Sequence, residues 1–229
     1  MGVRSQYHCF RTEKVILKDV KLRTFITEDS SRDDLVAHVY DITYKTVKPT
    51  DNLIVIDDSI VRGTTLKKSI LKILDRLSPK KILVVSSAPQ IRYPDCYGID
   101  MARLEDLIAF QATLALLKEH DKEVMLEKVY ESAKAEMKKQ DFDASNVVNE
   151  LYELFSTDQI SKKIAELVRG DGIRSEVDVI FQDVDKLHQA CPKNLGDWYF
   201  TGNYPTPGGN RVANQAFINF MEGTNQRAY

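Results

Sequence analysis

Residues 52–70 read NLIVIDDSIVRGTTLKKSI. Leu53 to Ile56 form a continuous, β-branched-rich apolar run, too short for a helix, which predicts a strand buried on both faces in the interior of a parallel sheet. Asp57 and Asp58 then stand at its carboxyl end. Beyond them Leu66, Ile70, Ile73, Leu74 and Leu77 recur at helical spacing. Lys67, Lys68 and Lys72 take the opposite face, and Pro79 lies past the end. The unit is strand, loop, helix. Ligands of open α/β sheets gather outside the carboxyl ends of strands, and a helix N-terminus offers unpaired N–H groups and partial positive charge to phosphate. Gly63 permits a tight loop, Thr64 and Thr65 offer hydroxyl donors, and the carboxylates can accept from sugar hydroxyls or hold a hard cation. A phosphorylated sugar satisfies both halves. The same residues also fit an ordinary turn followed by a threonine-capped helix. A Walker A loop is excluded, because no Gly-Lys-Ser/Thr follows.

The longer stretch VIDDSIVRGTT (55–65) resembles the loop with which type I phosphoribosyltransferases bind 5-phosphoribosyl diphosphate (PRPP). Its Ser-Ile-Val-Arg centre is similar to the amidophosphoribosyltransferase version. SSAPQIRYPDCYGIDMARLEDLIA (86–109), VIFQDVDKL (179–187) and YFTGNYPT (199–206) resemble later blocks of that family, and RTFI (23–26) the start of its catalytic loop. The blocks stand in family order. The resemblance implies an α/β fold, part of a type I phosphoribosyltransferase (Rossmann-like) parallel sheet with flanking helices and a helical insertion. It implies that Asp57 and Asp58 contact ribose hydroxyls and Mg2+. Ser59, Arg62, Gly63, Thr64 and Thr65 would cradle the 5-phosphate, and Arg23 would act from the closing catalytic loop. The implied reaction is glutamine plus PRPP plus water giving 5-phosphoribosylamine, glutamate and pyrophosphate, the opening step of purine synthesis.

The 229 residues suffice for one sizeable domain, and 43% hydrophobic and 29% charged content are ordinary for a globular protein. A net charge of −2 gives no electrostatic reason to expect nucleic acid or an anionic membrane as partner. No apolar run reaches the roughly 18 residues of a spanning helix, the N-terminus has no signal-peptide core, and Gln6 breaks a myristoylation motif. A cytoplasmic protein is expected. Cys9, Cys96 and Cys191 are widely spaced and read as reduced thiols. Some family members hold an iron–sulfur cluster, whose thiolate positions here carry Asp95, Gly196 and Tyr199. The expectation is no iron–sulfur cluster.

KKILVVSSAP (80–89) and EVDVIFQD (176–183) read as further strands, the second followed by a short helix around Lys186. Between them Met125, Val129, Ala133 and Met137 recur every four residues, and Ser156 with Gln159 forms a capping-box pattern for a helix ending at Gly170. The expected organisation is 1–114, the C-terminal half of a phosphoribosyltransferase core; 115–170, a helical insertion with a small satellite core; and 171–229, a last strand, a short helix and a tail. The tail begins as a Pro/Gly loop and has one short apolar group, Phe217 to Met221, suited to docking on a partner.

Two departures from the family pattern stand out. No pyrophosphate-binding loop or Cys-initiated glutaminase precedes residue 23, so the missing N-terminal half is expected to come from elsewhere and the chain alone to be inactive. The stretch after RTFI, residues 27–41, carries Glu28, Asp29, Asp33, Asp34 and Asp41 against a single Arg32, where the family places cations for pyrophosphate. Two functions follow: the PRPP-binding C-terminal part of an amidophosphoribosyltransferase, or a catalytically silent nucleotide-binding or assembly module. PRPP or a nucleotide 5′-monophosphate is the expected ligand, and a homo-oligomer the expected state.

Overall fold

The computed structural model describes residues 11–12, 16–18, 40–43, 46–98, 101–139, 144–193 and 196–228. Cys9, Arg23 and most of the acidic stretch 27–41 lie outside these residues. Two short strands, β1 (Ile16–Lys18) and β2 (Tyr40–Ile42), pair antiparallel. The main sheet contains β3 (Asn52–Asp57), β4 (Lys81–Ser86) and β5 (Glu176–Phe181), all parallel, in the order β3-β4-β5. These are the strands expected from the sequence, so the molecule is α/β with a three-stranded parallel sheet flanked by helices.

Parallel neighbours require crossovers. The first runs through a wide π-helical turn, Leu66–Ile70, continuous with α1 (Leu71–Asp75). The second runs through a 3-10 turn, Leu104–Asp106, then α2 (Ile108–Glu119), α3 (Val124–Met137), α4 (Asn149–Tyr152) and α5 (Thr157–Arg169). After β5 come α6 (Val184–Ala190), α7 (Trp198–Thr201) and α8 (Pro207–Glu222). The α5 capping box is complete: Gln159 N–H donates to Ser156 Oγ at 3.2 Å and Ser156 N–H to Gln159 Oε1 at 2.8 Å.

The π turn alters the expected helical stripe. The Leu71 N–H reaches back five residues to the Leu66 carbonyl. This extra residue in the turn leaves Ile70 only partly buried at the margin of the core and brings Leu71 into it, fully buried. Leu66, Ile73, Leu74 and Leu77 are buried as expected.

Strand register puts Leu53, Val55, Ile82, Val84, Val177 and Val179 on one face, packed into a continuous core with α1, α2 and α5. The opposite face carries Ile54, Ile56, Leu83, Val85 and Ile180. There Ile54 is 53%, Ile56 73% and Ile180 51% exposed. The expectation that Leu53–Ile56 is interior is therefore corrected. Among the described residues β3 is an edge strand covered on one face only, because β4 is its sole neighbour and the helices gather on one side. A sequence apolar on both faces records what a strand can bury, and its neighbours decide what it does bury.

Residues 115–170 do not make a separate satellite core. Val129, Ala133, Val148 and Leu151 are fully buried in the same cluster as the sheet residues, and α2 runs unbroken across position 114. The tail is corrected as well. Residues 207–222 form a 16-residue helix packed against α3, with Phe217 fully buried. Pro207 sits in its first turn, where the missing N–H costs nothing. Thr206 Oγ1 caps it by accepting from Gly209 N–H at 3.3 Å. The two glycines do not break the helix; a Cβ at Gly209 would come within 2.5 Å of the Tyr204 side chain, so the first turn lies close against it.

Candidate functional site

The site is built where β3 ends. Asp57 is the last strand residue and Asp58 the first beyond it. Both carbonyls are taken by the segment after β4: Ser87 N–H donates to Asp57 O at 2.9 Å, Ser87 Oγ to the same oxygen at 3.1 Å, and Ala88 N–H to Asp58 O at 3.0 Å. The two acids are thus pinned through their backbone. Their carboxylates then organise the turn, Asp57 Oδ1 accepting from Asp58 N–H at 3.0 Å and Asp58 Oδ1 from Ser59 N–H at 2.7 Å. Oδ2 of each carboxylate takes no part in these bonds. Although Asp57 meets solvent, partial desolvation pushes its carboxyl above the usual range. The Asp58 N–H pulls it down, and the Asp58 charge pushes it up again.

Ile60, 4% exposed, anchors the loop in the core, and Ile108 N–H donates to Val61 O at 2.8 Å. Gly63 has φ +66°, and a Cβ there would lie 3.0 Å from Val168 Cγ1 and 3.3 Å from Ile108 Cγ1. Both the left-handed backbone and the close approach of α2 and α5 call for glycine. Lys67 N–H donates to Gly63 O at 2.9 Å, which starts the helix. Thr64 and Thr65 are exposed at its opening, and the Thr65 hydroxyl makes no capping bond. The plain helix-cap reading therefore does not account for Thr65. Ser59 is half-buried, and the Arg62 guanidinium faces Asp106 Oδ2 at 3.6 Å. Asp57, Asp58, Ser59, Arg62, Gly63, Thr64 and Thr65 thus share one turn between a strand end and a helix start. Arg23 lies outside the described residues.

Among the described residues no cluster of three or more His, Cys, Asp or Glu is placed to hold a metal. Asp57 and Asp58 suit a magnesium ion that keeps its waters and shares a substrate's oxygens, since such ions need only one or two protein carboxylates. The expected thiolate positions hold other chemistry. Asp95 is fully buried, accepts from Tyr199 OH at 2.7 Å and from Tyr97 N–H at 3.0 Å, and so joins the segment after β4 to α7. Burial and this carboxylate push the Tyr199 phenol up to about 12. Those residues do not fit an iron–sulfur cluster, which needs thiolate ligands.

Ser87 and Asp106 are contributors that the sequence reading left out. Each joins the loop from a distant part of the chain, and no local periodicity marks it.

No family model matches the chain. Over 59 residues, 26% of this chain and 12% of the relative, it is 49% identical to the amidophosphoribosyltransferase of Haemophilus influenzae. Over 145 residues, 63% of this chain and 25% of the relative, it is 28% identical to that of Saccharomyces cerevisiae. The matches thus span a quarter or less of these relatives' own length. A solved glutamine PRPP amidotransferase from B. subtilis, complexed with ADP and GMP, aligns with a TM-score of 0.45 at 23% identity, covering 85% of this chain and 32% of that one. Over part of its length the chain is similar in sequence to amidophosphoribosyltransferases.

Proposed function

We propose that residues 57–65 bind the ribose 5-phosphate moiety of PRPP or of a nucleotide 5′-monophosphate, and that the chain is the PRPP-binding C-terminal portion of an amidophosphoribosyltransferase. The observation that carries this reading is the strand-end pair Asp57–Asp58 followed, within one loop, by a glycine-turned helix start whose Thr64 and Thr65 are exposed and whose Thr65 hydroxyl makes no capping bond. A phosphate accepts from the N–H groups and hydroxyls of residues 63–65, where the helix dipole favours negative charge. The free Oδ2 atoms accept from the ribose 2- and 3-hydroxyls or from the waters of a magnesium ion. In a phosphoribosyl transfer, positive charge develops on the ribose as pyrophosphate departs. Two adjacent carboxylates held by backbone hydrogen bonds stabilise that charge without having to reorganise.

The test is calorimetric titration of the chain with ribose 5-phosphate. Binding is expected, and Asp57→Asn with Asp58→Asn should weaken it by about 1.5–3 kcal/mol, the range for hydrogen bonds to charged groups. Equal affinity in the double variant would remove the acids from the site.

One sequence observation favours the second reading, a silent nucleotide-binding module. Five acids against one arginine in residues 27–41 oppose the approach of that stretch to pyrophosphate. With the missing N-terminal half supplied, pyrophosphate release from PRPP in the presence of ammonia supports the transferase; ligand binding without turnover supports the silent module. Since Asp95 and Tyr199 are engaged with each other, the protein is proposed to lack an iron–sulfur cluster and to be colourless when prepared without oxygen.

A further inference from the structure

We propose that Asp106 is a positioning residue for the phosphate loop, and that the C-terminal tail, residues 223–228, is linked to the loop through it. The proposal rests on reading residues 57–65 as a phosphate cradle. Asp106 closes the 3-10 turn that precedes α2, and this short segment grips the loop twice. Its next backbone donor but one, Ile108 N–H, holds Val61 O at 2.8 Å. Its carboxylate faces the Arg62 guanidinium at 3.6 Å. Val61 and Arg62 are the two residues immediately before Gly63, so both contacts set where the cradle begins.

Asp106 is itself held in place. Arg103 donates Nε to Oδ2 at 3.1 Å and Nη2 to both carboxylate oxygens at 3.0 Å. Glu105 joins the same cluster, its carboxylate facing Arg103 Nε at 3.7 Å, so two guanidinium groups are matched by two carboxylates beside the loop. An arginine guanidinium is a planar fork of donors, so a carboxylate on one side of it fixes the plane in which Arg62 lies. Holding it there before the ligand arrives lowers the ordering cost of binding.

Arg103 extends the chain of contacts outward, donating Nη1 to Asn225 Oδ1. Asn225 sits in a tail that folds back on the last turn of α8. Thr224 N–H donates to Asn219 O at 2.9 Å, and Asn219 Nδ2 to Gln226 O at 3.1 Å. The path runs from Asn225 through Arg103 and Asp106 to Arg62.

The experiment compares wild type, Asp106→Asn, Asp106→Glu and Asn225→Ala as full chains. Ribose 5-phosphate affinity is read by calorimetry, the order of the Arg62 side chain by its 15N-resolved Nε–H signal, and folding by thermal melts. Asp106→Asn is expected to weaken binding roughly fivefold, the upper end for a partly exposed ion pair, and to broaden the Arg62 signal. Asp106→Glu keeps the charge and should restore most of both. Asn225→Ala, outside the loop, should weaken binding roughly twofold, the lower part of that range. A folded Asp106→Asn variant with wild-type affinity and an unchanged Arg62 signal overturns the proposal. If wild type binds no ribose 5-phosphate, the cradle reading fails, and the Arg62 signal alone still decides whether Asp106 positions it. Should Asp106→Asn not fold, Asn225→Ala carries the comparison, and wild-type affinity with an unchanged Arg62 signal in that variant overturns the link.

Discussion

Gly63 answers two demands at a single position. Its backbone is left-handed, and its missing side chain leaves room for Val168 and Ile108. Gly63→Ala should therefore cost about 1–3 kcal/mol, the range for a non-glycine residue held in that conformation, with a further loss of ligand affinity as the loop shifts. Urea unfolding alongside calorimetry measures both. Asp75 sets the second residue-scale expectation. It ends α1, where the helix dipole disfavours an acid, and its buried carboxylate accepts from Arg174 N–H at 3.1 Å, Ser175 N–H at 2.9 Å and Ser175 Oγ at 2.7 Å. Burial pushes its carboxyl up, but these bonds outweigh it and hold the folded value below the ordinary 3.8. A depressed carboxylate stabilises the fold fully above its unfolded value, and the contribution fades as pH falls through the folded one. Asp75→Asn is thus expected to cost about 1–3 kcal/mol at pH 7, with the gap from wild type narrowing below pH 3.8. A gap that stays constant to acid pH would remove Asp75 from the acid response.

At the scale of elements, what local chemistry dictates was legible and what neighbours dictate was not. The β3 run, the capping box opening α5, its stop at Gly170 and the helix near Lys186 each follow from a few adjacent residues. The loop that gathers Asp57 to Thr65 was legible for the same reason. The fully buried Leu71 was missed because regular helical spacing cannot reveal an extra residue in one turn. Helix α8 was missed because Pro-Gly-Gly scores as a loop by propensity. Packing overrides that preference: Phe217 is buried against Phe110, with ring centroids 6.2 Å apart at 82°. Phe217→Ala should accordingly cost about 3–5 kcal/mol, as truncating a large buried aromatic does. A loss under 1 kcal/mol would return 207–222 to the role of a loosely docked tail. Asp106 was illegible in principle, since its partner Arg62 meets it only when the second crossover folds back.

The whole molecule carries an imbalance. Parallel sheets are normally covered on both faces; among the described residues helices cover one, and Ile54, Ile56 and Ile180 meet solvent on the other, beside an edge of β3 that pairs with no other described strand. Edges of this kind pair with other chains. The chain is expected to associate with itself as concentration rises, and Ile54→Lys with Ile56→Lys should suppress association without loss of fold, because both positions are already exposed. Sedimentation velocity checks this, and a wild-type monomer at every concentration would contradict it. The bare isoleucine face also makes temperature a variable. Covering apolar surface is driven by entropy near room temperature and carries a negative heat-capacity change, so its advantage fades on cooling. A preparation that is assembled at 25–37 °C should drift toward single chains on ice and reassemble on warming, the reverse of what hydrogen-bonded contacts alone would do.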